Sequence, residues 1–326
     1  MKNKVLQTIS KYNLVESGDK IVLGVSGGPD SISMLDILKG LKKELNFEIV
    51  VAHINHMIRA EAVDDEKYVS DYCKKNNIEF YVKRIDVLQI ANDKKIGTEE
   101  AGRKVRYEFF EEVMKKTNAN KIAIAHNKND KIETIIMHLL RGSGISGLKG
   151  IEPKRNNKYI RPIIECEREE IEHYCEINKL NPCIDKTNLE NEYTRNKIRN
   201  VVIPYVKNEF NPNVIETIDR LSQVATEESN YIDLQTQKTY QKLIIEKTEN
   251  KISLKLKEFN EQEKVIKNRI ILLVVKELMG SSEGIEKIHI EDIIKLSNNN
   301  VGNKYLTPNK NIKFLVKDKM IRVIRL

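Results

Sequence analysis

Hydrophobic positions in the first 210 residues alternate between short, nearly continuous apolar runs and longer stretches with helical spacing. Short apolar runs are typical of strands buried on both faces, and helical spacing is typical of amphipathic helices. The predicted strands are Lys20–Val25, Glu48–His53, Glu79–Ile85, Lys121–His126 and Tyr159–Ile163. The predicted helices are Ser31–Leu45, Ala62–Asn76, Thr98–Thr117, Asp130–Arg141 and Glu167–Asn178. This alternation predicts an α/β fold with a parallel sheet covered by helices on both faces.

The pattern changes near Asn211-Pro212-Asn213, where turn-forming residues cluster. Beyond this point we predict three helices and three short strands. They are the helices Val214–Thr248, Glu261–Met279 and Ile288–Leu296 and the strands Lys304–Leu306, Ile312–Val316 and Ile321–Ile324. We therefore expect an α/β domain over 1–212 and a mainly helical domain over 213–300. A short β tail over 301–326 would then start or link to a further C-terminal domain.

Composition restricts the class of protein. No run approaches the roughly 18 apolar residues of a membrane helix, and the polar N-terminus lacks the pattern of a secretory signal. The four cysteines form no C-x-x-C pair. We expect a reduced, cytoplasmic protein without a disulfide framework.

Charge is concentrated near the C-terminus. Residues 231–326 hold 19 Lys and Arg against 12 Asp and Glu, and the whole chain has a net charge of +8. Such a segment is either an ordinary lysine-rich surface or a face that meets a polyanion such as RNA, and charge alone favours neither.

The most specific signal is the loop Ser26-Gly27-Gly28-Pro29-Asp30-Ser31, which joins a predicted strand to a predicted helix. Glycines let backbone N–H groups approach a ligand, and a helix N-terminus attracts phosphate. The loop lacks the lysine of a Walker A sequence. Asp30 would repel phosphate unless a cation lies between them, so the sequence predicts Mg²⁺ with Asp30 as a ligand.

Polar residues also follow the second and fourth predicted strands. His53 and Asn55 could face a nucleotide, although loop capping explains them as well. Asp130 and Glu133 share one helix face after His126, which is typical of metal binding or proton handling. Helix capping by Asn129 with acidic residues in the first turn is an equal alternative for that segment.

Further polar segments are candidates for binding anions or RNA phosphates. They contain Arg103, Arg106, Arg141, Asp185, Asn188, Arg195 and Arg199. Arg195 and Arg199 are spaced to share a helix face, for which a solvated surface is an equal interpretation.

The loop Ser-Gly-Gly-x-Asp-Ser resembles that of the N-type ATP pyrophosphatases, the PP-loop enzymes. In order, the chain also carries H-x-N-H-x-I-R from His53, E-E-A-x-R-x-x-R-Y from Glu99 and A-H-x-x-N-D-x-x-E-T from Ala125. R-G-x-G-x-x-G-L from Arg141, D-x-T-N from Asp185 and R-N-x-I-R from Arg195 follow. This ordered set resembles the bacterial tRNA(Ile)-lysidine synthetases over residues 19–212, and more weakly beyond.

The resemblance implies an adenine-nucleotide α-hydrolase-like sheet, ATP and Mg²⁺. It also implies L-lysine and tRNA(Ile) with a CAU anticodon as substrates, and RNA binding by the C-terminal region. A homodimer is left open. Absence of paired C-x-x-C motifs argues against tRNA thiolation. An amidotransferase-type PP-loop enzyme and a nucleotide-dependent RNA-binding module are the alternatives.

The resemblance also implies residue roles. The expected catalytic residues are Asp30, Asp130, Glu133 and Arg195. The expected ATP-binding residues are Ser26, Gly27, Gly28, Pro29, Asp30, Ser31, His53, Asn55, Arg103 and His126. The expected substrate-binding residues are Arg106, Arg141, Asp185, Asn188, Arg195 and Arg199, and the expected metal ligands are Asp30 and Asp130. Asn129-Asp130-Lys131 departs from the family's frequent Asp-Asp-Gln, which leaves only Asp130 for the carboxylate role.

Overall fold

The computed structural model describes residues 1–57, 62–183, 193–299 and 304–326. These residues form two compact units, 1–223 and 224–326. No helix within the described ranges is long and apolar enough to cross a membrane.

A six-stranded sheet forms the centre of the first unit. Its strands are β1 (Lys20–Gly24), β2 (Glu48–Asn55), β3 (Glu79–Arg84), β4 (Lys121–Ile124), β5 (Lys154–Arg155) and β6 (Tyr159–Ile160). The strand order is β3-β2-β1-β4-β6-β5, and every pairing except β5 with β6 is parallel. The predicted α/β class with a parallel sheet is therefore confirmed.

Helices cover both faces of this sheet. They are α1 (Lys2–Tyr12), α2 (Pro29–Leu45), α3 (Ala62–Lys75), α4 (Val87–Lys94), α5 (Thr98–Lys116), α6 (Lys128–Leu140), α7 (Ile145–Leu148), α8 (Arg168–Ile177), α9 (Thr194–Lys197) and α10 (Ile203–Glu209), with a π-helical segment at Ile198–Val202. Side chains alternate between faces along each strand. Ile21 and Leu23 accordingly pack in the core beneath α2, whereas Val22 packs against Phe109 and Phe110 of α5.

The strand order reverses between β1 and β4, because β2 and β3 extend the sheet on one side and β6 and β5 on the other. In open α/β sheets, ligands bind at the carboxyl ends of the strands where the order reverses. The loops that follow β1 and β4 meet at this point, and they carry Ser26–Ser31 and His126–Asp130.

The second unit contains a five-stranded antiparallel sheet. Helix α11 (Val214–Leu243) begins in the first unit and ends in the second. It is followed by β7 (Ile244–Lys247), β8 (Lys251–Lys255), α12 (Leu256–Asn260), α13 (Lys264–Met279), α14 (Lys287–Asn299), β9 (Lys304–Asn309), β10 (Ile312–Lys317) and β11 (Met320–Arg325). The sheet order is β7-β8-β11-β10-β9.

Three predictions for this region differ from the structure. The helix predicted to reach Thr248 ends at Leu243, because Ile244–Lys247 pairs with β8. The C-terminal strands share one sheet and one core with β8, so the structure places 304–326 in the same unit as 224–299. The first unit extends to Gln223 rather than ending at residue 212.

Candidate active site

A cavity of about 400 Å³ opens at the carboxyl ends of β1, β2 and β4. This volume lies within the range of small-molecule sites. The polar residues that line it are Ser26, Asp30, Ser31, His53, Asn55, His56, Asp65, Arg106 and His126. The structure thus brings together six polar residues predicted for a nucleotide site with Arg106, which was predicted to bind substrate.

Backbone N–H groups converge in the loop after β1. Gly27 has a φ of +96°, a conformation that favours glycine, and Gly28 precedes α2, which begins at Pro29. The Ser31 hydroxyl accepts hydrogen bonds from the N–H groups of Ser26 (3.1 Å) and Gly27 (3.2 Å). Two amides at the N-terminus of a helix therefore point at one oxygen atom, the geometry that binds a phosphate oxygen.

Asp30 bridges the two loops at the strand-order reversal. The Asn127 side-chain amide donates a hydrogen bond to Asp30 Oδ1 at 2.7 Å. Burial raises the pKa of Asp30 to about 6, and the negative charge of Asp130 adds to this effect. A cation beside Asp30 would stabilise its charged carboxylate and so offset both the burial and the repulsion by Asp130.

Asp130 and Asn127 form a capping box at the start of α6. The Asp130 N–H donates to Asn127 Oδ1 (2.9 Å), and Asp130 Oδ2 accepts from the Asn127 N–H (3.2 Å). The alternative in which Asn129 caps this helix is wrong. Asn129 Oδ1 instead accepts a hydrogen bond from the backbone N–H of Arg168, the first residue of α8. The Asn129 side chain therefore connects α6 to the start of α8.

Glu133 is surrounded by arginines. Its carboxylate receives two hydrogen bonds from Arg199 (2.7 and 2.8 Å) and lies 3.4 Å from Arg168 and 3.3 Å from Arg195. Its side chain is 1% exposed, whereas the Asp130 side chain is 14% exposed. Glu133 therefore holds the arginines in place, and Asp130 keeps access to solvent.

The predicted arginine pair reaches the carboxylates from a distorted helix. Arg195 lies in α9 and Arg199 in the π-helical segment that follows. Arg199 Nη2 lies 3.1 Å from Asp130 Oδ1, and Arg195 Nη2 donates to Thr134 Oγ1 at 2.8 Å. Single turns of π-helix are frequent at functional sites. The solvated-surface interpretation of this pair is wrong.

Three histidines at the cavity have lowered pKa values. Burial lowers the pKa of His53 and lowers that of His56 to about 4. Burial and then the charge of Arg161 hold the pKa of His126 well below its usual range, and Arg161 Nε donates to His126 Nδ1 at 3.0 Å. These neutral rings offer hydrogen bonds without adding charge. Within the described residues, His53 Nε2 and His56 Nδ1 have no hydrogen-bond partner.

Other predicted residues lie elsewhere. Arg103 does not line the cavity, and its exposed guanidinium stacks on the Tyr107 ring with its Cζ 5.1 Å from the ring centre. Arg141 is exposed directly after α6. Asp185 and Asn188 lie outside the described residues.

Sequence reasoning missed Arg168, Asn127, His56 and Asp65 as functional candidates. Arg168 carried no motif signal. Both Asn127 and His56 belong to motifs that follow predicted strands, Asn127 directly after Lys121–His126 and His56 three residues after Glu48–His53, and that position could have identified them.

The residues present fit a magnesium ion. Mg²⁺ is usually held by one or two carboxylates together with substrate phosphates and water. Asp30 and Asp130 lie beside the phosphate loop and interact electrostatically. Within the described ranges, no group of three His, Cys, Asp or Glu residues could hold a metal by itself.

Comparison with known proteins shows which sequences this chain is similar to. Residues 1–206 match the model of the PP-loop domain family. The chain is 47% identical over 311 residues to tRNA(Ile)-lysidine synthase of Clostridioides difficile, covering 95% of this chain and 67% of that protein. It is 46% identical over 310 residues to the enzyme of the same name from Clostridium acetobutylicum, again covering 95% and 67%.

The chain belongs to the tRNA(Ile)-lysidine synthase family. It spans about two thirds of the length of these relatives. The loop Ser26–Ser31 lies within the matched PP-loop domain. The fold also resembles that of U34-tRNA thiolase NcsA from Methanococcus maripaludis, with a TM-score of 0.56, 19% identity and coverage of 68% of this chain and 77% of that chain.

Proposed function

We propose that this chain joins L-lysine to C2 of the wobble cytidine of tRNA(Ile) with a CAU anticodon, converting ATP to AMP and pyrophosphate. The observation that carries the proposal is a PP-loop at the strand-order reversal, opening into a cavity lined by Arg106, His56 and Asp30, in a chain of the lysidine synthase family. We place the reaction in the cytoplasm.

In the first step, the C2 oxygen of the cytidine attacks the α-phosphorus of ATP and the bond to pyrophosphate breaks. The amides of Ser26 and Gly27 would bind the departing phosphate oxygens in place of the Ser31 hydroxyl. Asp30 and Asp130 would hold Mg²⁺, which would neutralise charge on the pyrophosphate.

In the second step, the lysine side-chain amine attacks C2, and the bond from C2 to the AMP oxygen breaks. The amine must first lose a proton, because its ordinary pKa is about 10.4. We assign that proton to Asp130, whose carboxylate is 14% exposed. Glu133 is a poorer acceptor because its side chain is 1% exposed and Arg168, Arg195 and Arg199 surround it. Arg195 and Arg199 would stabilise the negative charge of the leaving AMP.

The test is incubation of the chain with ATP, labelled lysine and minor tRNA(Ile), followed by nucleoside analysis and measurement of pyrophosphate release. We expect labelled lysidine and pyrophosphate in equal amounts. Pyrophosphate without lysidine would indicate a different acceptor for the adenylated base. Neither product would contradict the proposal. Sedimentation of the same sample tests whether the chain forms a homodimer.

A further inference from the structure

A second polar depression lies on the first unit, outside the nucleotide cavity. Arg103, Lys104, Tyr107, Arg155 and Tyr159 line it, together with the exposed Glu100. We call these five aromatic and basic residues the Tyr–Arg patch. Arg103 and Arg106 are three positions apart on α5, about 4.5 Å along the helix, and Arg106 lines the nucleotide cavity. The patch and the cavity therefore border the same turn of α5.

The patch is built by stacking. The Arg155 guanidinium lies 4.6 Å from the Tyr159 ring centre and 5.3 Å from that of Tyr107, and the two rings pack edge to face at 5.2 Å. The Tyr159 hydroxyl is hydrogen-bonded to Glu111, which fixes the buried ring. A guanidinium whose face rests on a ring keeps its N–H edge available for a phosphate.

The carboxylate of Glu100 shares the depression with the three cations of the patch. Arg103, Lys104 and Arg155 have no carboxylate within 4.0 Å among the residues that the structure describes, whereas the neighbouring Lys158 pairs with Glu111 at 2.6 Å. The Arg155 Nε is buried and has no hydrogen-bond partner in the described part of the chain. Buried side-chain donors in folded proteins usually have a protein or water partner.

We propose that the Tyr–Arg patch binds the phosphate backbone of the tRNA substrate beside its reacting base. This inference rests on the proposed function. Because the patch and the cavity border the same turn of α5, an RNA strand with a base in the cavity would bring a phosphate close to the patch, where cations outside any ion pair of the described residues would contact it. It also gives Arg103 a role other than the ATP contact expected from the sequence.

The test compares two double variants of the full chain. Lys104→Gln with Arg155→Gln removes two charges from the patch, and Lys74→Gln with Lys75→Gln removes two charges from exposed positions of α3. The affinity for minor tRNA(Ile) is measured over a series of salt concentrations, and the affinity for ATP is measured without tRNA.

We expect the patch variant to bind tRNA about tenfold or more weakly, with the salt slope reduced by about 1.4, because two single-strand phosphate contacts are lost. Its ATP affinity should equal that of the α3 variant. Equal tRNA affinities and slopes in the two variants would overturn the inference, as would selective loss of ATP binding in the patch variant.

Two further measurements keep the test decisive. The single change Lys104→Gln alters an exposed side chain and should reproduce part of the loss if the double variant is unstable. Failure of the proposed function would appear as absence of lysidine with the native chain. Failure of this inference would appear in tRNA binding, whichever product forms.

Discussion

At the residue scale, Asp130 and Glu133 show how surroundings divide two carboxylates with the same local signal. They are three positions apart on one helix and both face arginines. Arg199 binds both oxygens of Glu133, whereas Asp130 is partly exposed and lies next to Asp30. We therefore expect Glu133 to contribute mainly to stability and Asp130 mainly to activity.

The first prediction concerns this division. Glu133→Gln should lower the free energy of unfolding by about 3–5 kcal/mol, because it removes the buried charge that pairs with Arg168, Arg195 and Arg199. Asp130→Asn should lower it by less, because Glu133 still pairs with Arg199, yet it should abolish lysine transfer. Urea unfolding and the lysidine assay measure the two effects. A stable, active Asp130→Asn variant would contradict the assignment.

The second prediction concerns Asp30. Asp30→Ala should abolish ATP-dependent lysine incorporation while the protein stays folded, because burial already disfavours the charged carboxylate that it removes. Asp71→Ala, an exposed change on α3, is the matched control and should keep full activity. Normal turnover by the Asp30 variant would remove this residue from the mechanism.

At the element scale, α6 is held by α11 as well as by the sheet. Lys131 Nζ lies 2.8 Å from Asp219 Oδ1, and both side chains are largely buried. Lys128 pairs with Glu216, one turn earlier on α11. Lys131 stands where the family often has Gln, so in this chain an ion pair fixes the helix that carries Asp130.

The third prediction follows from that ion pair. Asp219→Asn should lower the free energy of unfolding by about 2–4 kcal/mol, because Lys131 is left buried without its partner. Lys131→Gln with Asp219→Asn should recover part of the loss, and a double-mutant cycle by urea unfolding measures the coupling. Additive effects of the two single changes would show that the Lys131–Asp219 pair does not contribute to the free energy of unfolding.

At the scale of the whole molecule, the two units have separate cores. The residues that we propose as catalytic lie in the first unit, and the strongly basic segment 231–326 lies in the second. Association of a basic segment with RNA depends on salt because counterions are released from the phosphates.

The fourth prediction separates the two units. A chain that ends at residue 230 keeps all of unit 1–223 and should still bind ATP, but its tRNA affinity and the salt dependence of that affinity should fall. Filter binding over a salt series measures both. An unchanged, equally salt-dependent affinity would place RNA binding wholly in the first unit.

Local patterns in the sequence determined the elements and the phosphate loop. Burial on both faces leaves an apolar run in each of β1, β2 and β4, and the Gly-Gly-Pro junction requires a tight turn into α2. Both are properties of neighbouring residues, so they are readable from a single chain. The same ordered motifs were sufficient to predict the family that the comparisons confirmed.

Only the tertiary structure decided which residues meet. Arg168 contacts Glu133, which lies 35 positions earlier in the chain. Strand β8 pairs with β11, more than 60 positions later, although the sequence predicted a helical domain followed by a separate β tail. Arg103 belongs to the Tyr–Arg patch, although its motif suggested an ATP contact. These outcomes depend on packing between segments that are distant in the sequence. That packing determines which arginines contact Glu133, which surface Arg103 belongs to and which strand pairs with β8.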